Sequence, residues 1–318
     1  MPYKLLIALG AGIVSATVFA SATTGPLLVR IVLFLLTPLA LFLAGLGIGP
    51  LAAAIAGIAG TALVFAAGSS TAALIFAASQ ALPVVVLVHL ASLNRQTSGE
   101  TEWYPIGRIV LAAALMAAVF ATLTLFLLGG DVDTLRATLR TMLESFIQTE
   151  LAKMPDAPTL GPNEIDEITS VTLALLPAAS AISTMGSLLF NMWLAGRITL
   201  ASGRLRRPWP DLAAMTYPPG TALMLAAATA AAFLSGLLGL IAMGFAGPLF
   251  LSYVLMGLAV VHYITRGRPW RPFALWAIYA ALFIVNTVAS LAVAILGLTE
   301  SVWPLRKMLQ PPSEPPKS

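Results

Sequence analysis

Residues 108–129 read RIVLAAALMAAVFATLTLFLLG, and after Arg108 this run contains no charged side chain. An α-helix needs about 20 apolar residues to cross roughly 30 Å of hydrocarbon, so the run is long enough for one crossing. Similar runs recur between Leu5 and Leu298. Hydrocarbon cannot hydrogen-bond an exposed backbone, so only helices and closed barrels cross it, and continuous apolar runs indicate helices.

The composition of the whole chain supports the same class. Hydrophobic residues make up 59% of the 318 residues and charged residues 9%, against about 25% charged in soluble domains. The mean hydropathy is +0.93. We therefore predict an all-α, polytopic transmembrane helix bundle. It forms a single transmembrane domain over residues 1–298, followed by a polar, Pro-rich tail at 299–318.

The apolar runs predict eight or nine spans. They lie near residues 5–23, 27–47, 51–68, 71–91, 108–129, 168–196, 219–242, 246–265 and 273–298. Pro38 and Pro50, with nearby glycines, favour a kinked or re-entrant element in the second and third spans. Lys4, an apolar stretch and Ala20-Ser21-Ala22 resemble a secretory signal, but the many following spans favour an uncleaved first helix.

The distribution of basic residues predicts the orientation. Arginines crowd three short connections, which the positive-inside rule places in the cytoplasm with the N-terminus. The acidic segment 130–167 then lies outside. Residues 131–153 show helical apolar spacing and predict an amphipathic helix that packs on the membrane surface, or alternatively covers the outer mouth of the bundle. Nine spans would leave Arg306 and Lys307 outside, against the rule.

Several functions are excluded or disfavoured. The chain has no cysteine, and His89 and His262 are far apart in sequence, so we expect no metal site and no cofactor. The net charge of +4 is explained by loop arginines, so we expect no nucleic acid. No span carries Asp, Glu or Lys near its centre, which disfavours ion-coupled transport. No catalytic motif is visible, so we expect no enzyme activity.

Polar side chains form two sets within the spans. Ser180, Thr184, Ser187 and Asn191 share one helix face after Pro177, where they form either a ligand site or an interhelical hydrogen bond. A second set on the last two spans includes Tyr253, Tyr279 and Asn286. Three further residues are expected at the cytoplasmic edge: Arg197, His262 and Arg266.

Small residues recur at four-residue spacing in two of the predicted spans. The first carries Gly12, Ala16 and Ala20, and the third carries Ala53 with Gly57 and Ala56 with Gly60. Such faces allow close helix packing in lipid. They serve either the internal packing of this chain or the docking of a membrane-embedded partner subunit.

Two motifs near the C-terminus carry a family resemblance. They are GLAVVHY at 257–263 and GLTESVWPLR at 297–306, and Asn191, Arg197, Trp209 and Tyr217-Pro218 fit the same pattern. The chain resembles, up to Arg306, the YybS-like family of bacterial multi-span membrane proteins, which has no established activity. It departs from that pattern at Glu300, Trp303 and Pro304. The family is similar in outline to the S components of energy-coupling-factor vitamin transporters and to the rod-shape protein MreD. This resemblance implies a ligand pocket and a partner-docking face.

Two functions follow as hypotheses. The first is a transport-related protein of the bacterial cytoplasmic (inner) membrane that resembles an S component and binds a small, largely neutral metabolite. Polar contacts would come from Thr184, Ser187, Asn191 and Asn286, and stacking surfaces from Tyr253 or Tyr279. An energising partner would be required, because the chain has no nucleotide-binding motif. The alternative is a non-catalytic scaffold or assembly factor of a membrane or cell-envelope complex.

Overall fold

The computed structural model describes residues 2–97, 99–149 and 160–308, and these residues are predominantly helical. The helices are α1 Pro2–Ser21, α2 Leu27–Leu36, α3 Leu39–Ile48, α4 Pro50–Ala67, α5 Ser70–Phe76, α6 Leu82–Ser92, α7 Ile106–Leu128, α8 Val132–Thr149, α9 Pro162–Ala201, α10 Thr221–Ala231, α11 Leu237–Ile264, α12 Arg271–Ile284, α13 Asn286–Val302 and α14 Leu305–Met308. A π-helical turn at Ala77–Ala81 joins α5 to α6. Two short antiparallel strands, β1 Asn94–Thr97 and β2 Glu100–Trp103, form the hairpin between α6 and α7.

The helical content and length confirm the polytopic all-α class. Among the described residues, seven helical segments are long and apolar enough to cross a membrane, against eight or nine predicted. The difference lies in the last three predicted spans. Residues 219–242 are interrupted after α10, and a turn at Gly236 with φ +77° precedes α11. Helix α11 then continues through the predicted gap at 243–245 and through Pro248.

The last predicted span, 273–298, is broken at Val285, which separates α12 from α13. Its two ends lie close together. The guanidinium carbons of Arg266 and Arg306 are 5.7 Å and 5.8 Å from the centroid of one ring, that of Tyr263. A single crossing would separate these ends by about 30 Å. The segment 271–302 therefore turns back on itself, and we call it the re-entrant segment. Arg306 lies at the same end of unit 1 as Arg266, whereas nine crossings would place them at opposite ends, and the membrane side of this end stays a prediction.

The chain divides into two compact units, each discontinuous in sequence. Unit 1 comprises Met1–Ala113, Ser187–Ala222 and Leu249–Ser318, and unit 2 comprises Ala114–Gly186 and Leu223–Pro248. The single domain over 1–298 stays a prediction. The residues 309–318 of the predicted tail lie outside the described part of the chain.

In unit 1 the small-residue faces pack against each other. A side chain at Gly12 would collide with the backbone of Ala56 and Gly60, which means that α1 and α4 are in backbone contact. Phe19 stacks edge-on against Phe76 with centroids 5.3 Å apart. Most of the predicted small-residue positions are buried in this way, whereas Ala20 is exposed. These faces therefore serve internal packing.

One end of unit 1 gathers the arginine-rich connections, and we call it the basic end. Arg206 donates to the carbonyl of Ile48 at 3.0 Å, and the Arg207 guanidinium lies 6.0 Å from the ring of Trp103 in the hairpin. Asp211 pairs with Arg266 at 2.8 Å. The turn after α3, the hairpin, the connection 202–220, the turn after α11 and the C-terminal helix α14 thus meet at this end.

Unit 2 contains the predicted amphipathic helix, observed here as α8. Asp131 caps it by accepting a bond from the Thr134 amide at 2.9 Å. Its apolar face packs Leu135 and Leu139 against Leu125 and Leu173. Residues 150–153 of the prediction, with Pro155 and Pro158, lie outside the described residues. The apolar face of α8 thus packs on other helices of unit 2, and its place on the membrane surface or over the outer mouth stays a prediction.

Candidate functional site

The first polar cluster forms around the break between α2 and α3. Proline lacks the amide hydrogen that would continue a helix, so Pro38 interrupts the backbone ladder here. The carbonyls beside the break accept side-chain donors from other helices. Ser15 on α1 donates to Thr37 at 2.7 Å, and Ser187 and Asn191 on α9 donate to Leu35 at 2.7 Å and 2.6 Å. Neighbouring side chains thus satisfy a broken helix in an apolar setting.

Asn191 is fully buried at the centre of this cluster. Besides Leu35, its amide nitrogen donates to the Ser187 carbonyl at 2.7 Å, while its amide oxygen has no hydrogen-bond partner among the described residues. Thr184, two turns earlier on α9, is buried as well. The hydrogen bonds of Asn191 to α2 are those expected of an interhelical clasp, which is the second of the two roles predicted for this face.

A second feature is a pocket of about 490 Å³ at the basic end of unit 1. It lies between the connection 214–222, α11 and the C-terminal segment 300–307. Its wall includes Tyr217, Tyr253, Tyr263, Glu300, Ser301 and Arg306, and we call it the tyrosine pocket. The volume falls within the range of small-molecule sites, which combine apolar and aromatic walls with a few polar groups.

A buried ion pair forms one wall of the tyrosine pocket. Arg306 Nε lies 2.9 Å from Glu300 Oε1, and the two side chains are 8% and 7% exposed. The remaining guanidinium nitrogens donate to the carbonyls of Ala213 at 2.7 Å and Met215 at 2.9 Å. Because each charge is neutralised and hydrogen-bonded, the pair fixes the C-terminal segment to the connection before α10.

Two tyrosines form the deeper wall. The Tyr217 hydroxyl donates to the Ser252 carbonyl at 2.7 Å, and burial raises the pKa of this phenol above its usual range. Its ring packs edge-on against Tyr253 with centroids 5.6 Å apart. Tyr253 is fully buried, and its hydroxyl interacts with the Ser301 side chain without reaching full hydrogen-bond geometry to any described residue. A buried hydroxyl in this state is a group that a ligand could satisfy.

Close helix packing supports this wall. A side chain at Gly257 would collide with the Val293 carbonyl, and one at Gly297 would collide with the Tyr253 carbonyl. Helices α11 and α13 therefore cross in backbone contact, which only glycine allows at these two positions. This crossing brings Ser301 next to the Tyr253 hydroxyl, with Glu300 in the same pocket wall.

The structure distributes the predicted ligand residues over four places. Tyr253 lines the tyrosine pocket, whereas Thr184, Ser187 and Asn191 lie on α9 as described above. Tyr279 bonds to His262 at 2.9 Å, and Asn286 is exposed at the break between α12 and α13. The predicted residues thus do not form one common site.

The predicted edge residues have aromatic or acidic partners. Arg197 lies 5.2 Å from the ring centre of Trp209, and Gly196 leaves room for that ring. Arg266 donates two hydrogen bonds to Asp211, at 2.8 Å and 3.0 Å, and lies on Tyr263. In the described residues no three His, Asp or Glu side chains are arranged to hold a metal ion.

The pocket residues that the polar-stripe reasoning missed are Tyr217, Glu300, Ser301 and Arg306. All four lie outside the centres of the apolar spans, whereas the predicted polar sets were taken from within those spans. The signal that could have found them was the family motif itself, because GLTESVWPLR contains three of them and Tyr217-Pro218 the fourth.

The helices and the basic end define a polytopic α-helical membrane protein. A family model described as "Predicted membrane protein (DUF2232)" matches residues 13–301, and the chain belongs to this uncharacterised multi-span membrane family. The resemblance to such a family is thereby confirmed. No curated protein and no solved structure matches the chain.

Proposed function

We propose that this protein is a non-catalytic, transport-related component of the bacterial cytoplasmic membrane that binds a small, largely neutral molecule in the tyrosine pocket. The observation that carries this proposal is a pocket of about 490 Å³ whose wall contains the buried Tyr253 hydroxyl, which interacts with Ser301 but makes no full hydrogen bond to a described residue. Aromatic walls favour a ligand with a flat or aromatic part, and the hydroxyls of Tyr253 and Ser301 favour one with polar substituents.

The charge arrangement of the pocket supports a neutral ligand. Glu300 and Arg306 are paired with each other, so neither presents an uncompensated charge to a ligand, and Lys307, the other charged residue of the lining, is exposed to solvent. The same pairing supports binding rather than catalysis, because a carboxylate held by a guanidinium is a weak general base. This reassigns the ligand contacts from Asn191 and Asn286 to residues at the basic end.

The arginine-rich connections support a cytoplasmic basic end. Arg204, Arg206 and Arg207 lie in the connection between α9 and α10. Arg268 lies in the turn between α11 and α12, and Arg271 begins α12. Under the positive-inside rule this end faces the cytoplasm, and the N-terminus, close before α1, does so too. The pocket would then open toward the cytoplasmic side, where an energising subunit could reach it.

Thermal unfolding of the purified protein in detergent tests the proposal. A panel of neutral aromatic and hydroxylated metabolites is screened for a rise in Tm, and ligand at 100 times its Kd should stabilise by about 2.7 kcal/mol. Ala214→Trp fills the pocket from an exposed wall position, while Ala201→Trp adds the same ring at an exposed position outside the pocket. The ligand shift should survive Ala201→Trp and disappear in Ala214→Trp.

The scaffold role is the second candidate, and the clasp between Asn191 and Leu35 favours it. A protein whose buried polar groups all lock helices together needs no ligand. If no compound in the panel raises Tm, and one membrane protein co-purifies constantly with the chain, the binding proposal fails and the scaffold is preferred.

A further inference from the structure

The first helix of the re-entrant segment, α12, ends inside the apolar region of unit 1. Helix α12 has 14 residues, so it extends about 21 Å from Arg271 before it breaks at Val285. The hydrocarbon layer is roughly 30 Å thick, and the break therefore lies within it. We call residues 283–288 the apex of this segment.

The apex is exposed on the surface of the chain. Phe283 is 89% exposed, Ile284 77% and Val288 66%. Asn286 is exposed beside them, and helix α12 buries none of its residues. Apolar side chains in this position can face lipid without cost, but the carboxamide and the interrupted backbone cannot.

The Asn286 carboxamide is only partly satisfied within the chain. Ser290 donates to its oxygen at 3.4 Å, and no hydrogen bond from its nitrogen is found within the described residues. Irregular backbone at membrane depth is tolerated where protein covers it, and polar side chains there usually bond to another helix. Lipid alone would leave the amide donors of Asn286 without an acceptor.

We propose that a second copy of this chain covers the apex, with the two apices related by a two-fold axis. A carboxamide both donates and accepts, so Asn286 is complementary to its own symmetry mate. Val288, Leu291 and Ile295 are all at least half-exposed and follow at helical spacing, which supplies an apolar stripe beside the amide. The small-residue faces, the other common means of self-association in lipid, are already occupied inside unit 1.

The absence of cysteine permits a direct test in native membranes. Ile284→Cys and Val288→Cys, made separately, place one thiol on either side of Asn286. Mild oxidation should link copies of the 33.1 kDa chain into a disulfide dimer in at least one of them. Leu28→Cys on α2, 77% exposed, is the matched lipid-facing control and should stay monomeric.

Substitution of Asn286 separates the contribution of its amide to dimerisation from the contribution of its apolar neighbours. Asn286→Leu in the cross-linking background should lower the dimer yield about tenfold, whereas Asn286→Gln should retain most of it. Absence of a dimer at both positions, with thiols that still react with a membrane-permeable maleimide, overturns the proposal. A disulfide to a different protein, or an unchanged yield in Asn286→Leu, overturns it as well. No ligand is needed, so this outcome is independent of the tyrosine pocket.

Discussion

Glu300 and Arg306 form an ion pair in which both side chains are more than nine-tenths buried. The pair is surrounded by backbone carbonyls from the connection before α10 and by the ring of Tyr263. It therefore acts as a fixed point between the C-terminal segment and the rest of the basic end. Removal of this ion pair should therefore destabilise unit 1.

We predict that Arg306→Met lowers the free energy of unfolding by about 3–5 kcal/mol, because it leaves the Glu300 carboxylate buried without a partner. Thermal unfolding of the detergent-purified protein measures this. Arg268→Met removes an exposed arginine and should change Tm little. Glu300→Leu combined with Arg306→Met should recover part of the loss. A single variant as stable as the parent would show that the buried pair is not structural.

Asn191→Leu should destabilise the protein by about 1–2 kcal/mol, since it removes the amide donor from the Leu35 carbonyl beside the helix break. Ser180→Ala on the same helix is the control, because the Ser180 hydroxyl bonds only to the carbonyl of Pro177, three residues before it. The comparison is made by Tm in one detergent. Equal Tm values for the two variants would argue against the clasp.

Gly257→Ala should destabilise more than Gly186→Ala, although both replace a helical glycine by the better helix former. The new methyl at 257 meets the Val293 carbonyl, whereas nothing lies within 4 Å at 186. Relief of glycine's backbone entropy favours alanine by roughly 0.5–1 kcal/mol at both sites. A rise in Tm for Gly186→Ala together with a fall for Gly257→Ala is expected, and a rise in both would contradict the close crossing of α11 and α13.

The re-entrant segment makes a prediction about membrane sides. Single cysteines at Arg268→Cys and Lys307→Cys should react with an impermeant maleimide from the same side of the membrane. Thr24→Cys should react from the other side, because α2 and α3 cross once before Ile48 reaches Arg206. Labelling of residues 268 and 307 from opposite sides would mean that segment 271–302 crosses the bilayer.

The ion pair of Asp211 with Arg266 predicts a pH dependence. The hydrogen bond from Arg266 lowers the pKa of Asp211 below its usual value near 3.9. The pair therefore stabilises the folded protein fully above about pH 4 and loses its effect as the pH falls through the folded pKa. Asp211→Asn should show a small fall in Tm at pH 7, since both side chains are half-exposed, and no difference well below pH 4. A difference that grows toward acid pH would be incompatible with this pair.

The class and most spans were predictable because lipid imposes one strong requirement, namely long apolar helices. The apolar runs from residue 5 to 129 correspond to described helices, and the amphipathic spacing after Asp131 predicted α8. The break at Val285 was not predictable in this way. No proline or glycine marks it, and Asn286 and Thr287, the two polar residues that follow it, also occur within unbroken helices. Only the tertiary contacts of Arg266 and Arg306 with Tyr263 reveal that the segment returns.

The candidate site was predictable only in part. The spacing of Ser187 and Asn191 showed that they share a face, but the acceptor at Leu35 lies 156 residues away from Asn191 in sequence, and no local pattern indicates it. Gln80, buried in the π-helical turn, escaped notice as well, because a single polar residue in a long apolar run carries no periodicity. The charged wall of the tyrosine pocket lies in connections, where hydropathy is uninformative.

The break at Pro38 also has a consequence for biogenesis. Ribosomes make Leu35 long before Ser187 and Asn191, so the nascent α2–α3 segment enters the membrane while one of its carbonyls lacks the donors that α9 will supply. Until α9 is inserted, the Leu35 carbonyl requires another hydrogen-bond donor. This donor is either water held in the insertion machinery or a polar group of an insertase. Chains truncated before residue 187 should therefore remain associated with that machinery, whereas chains that include α9 should be released into the bilayer.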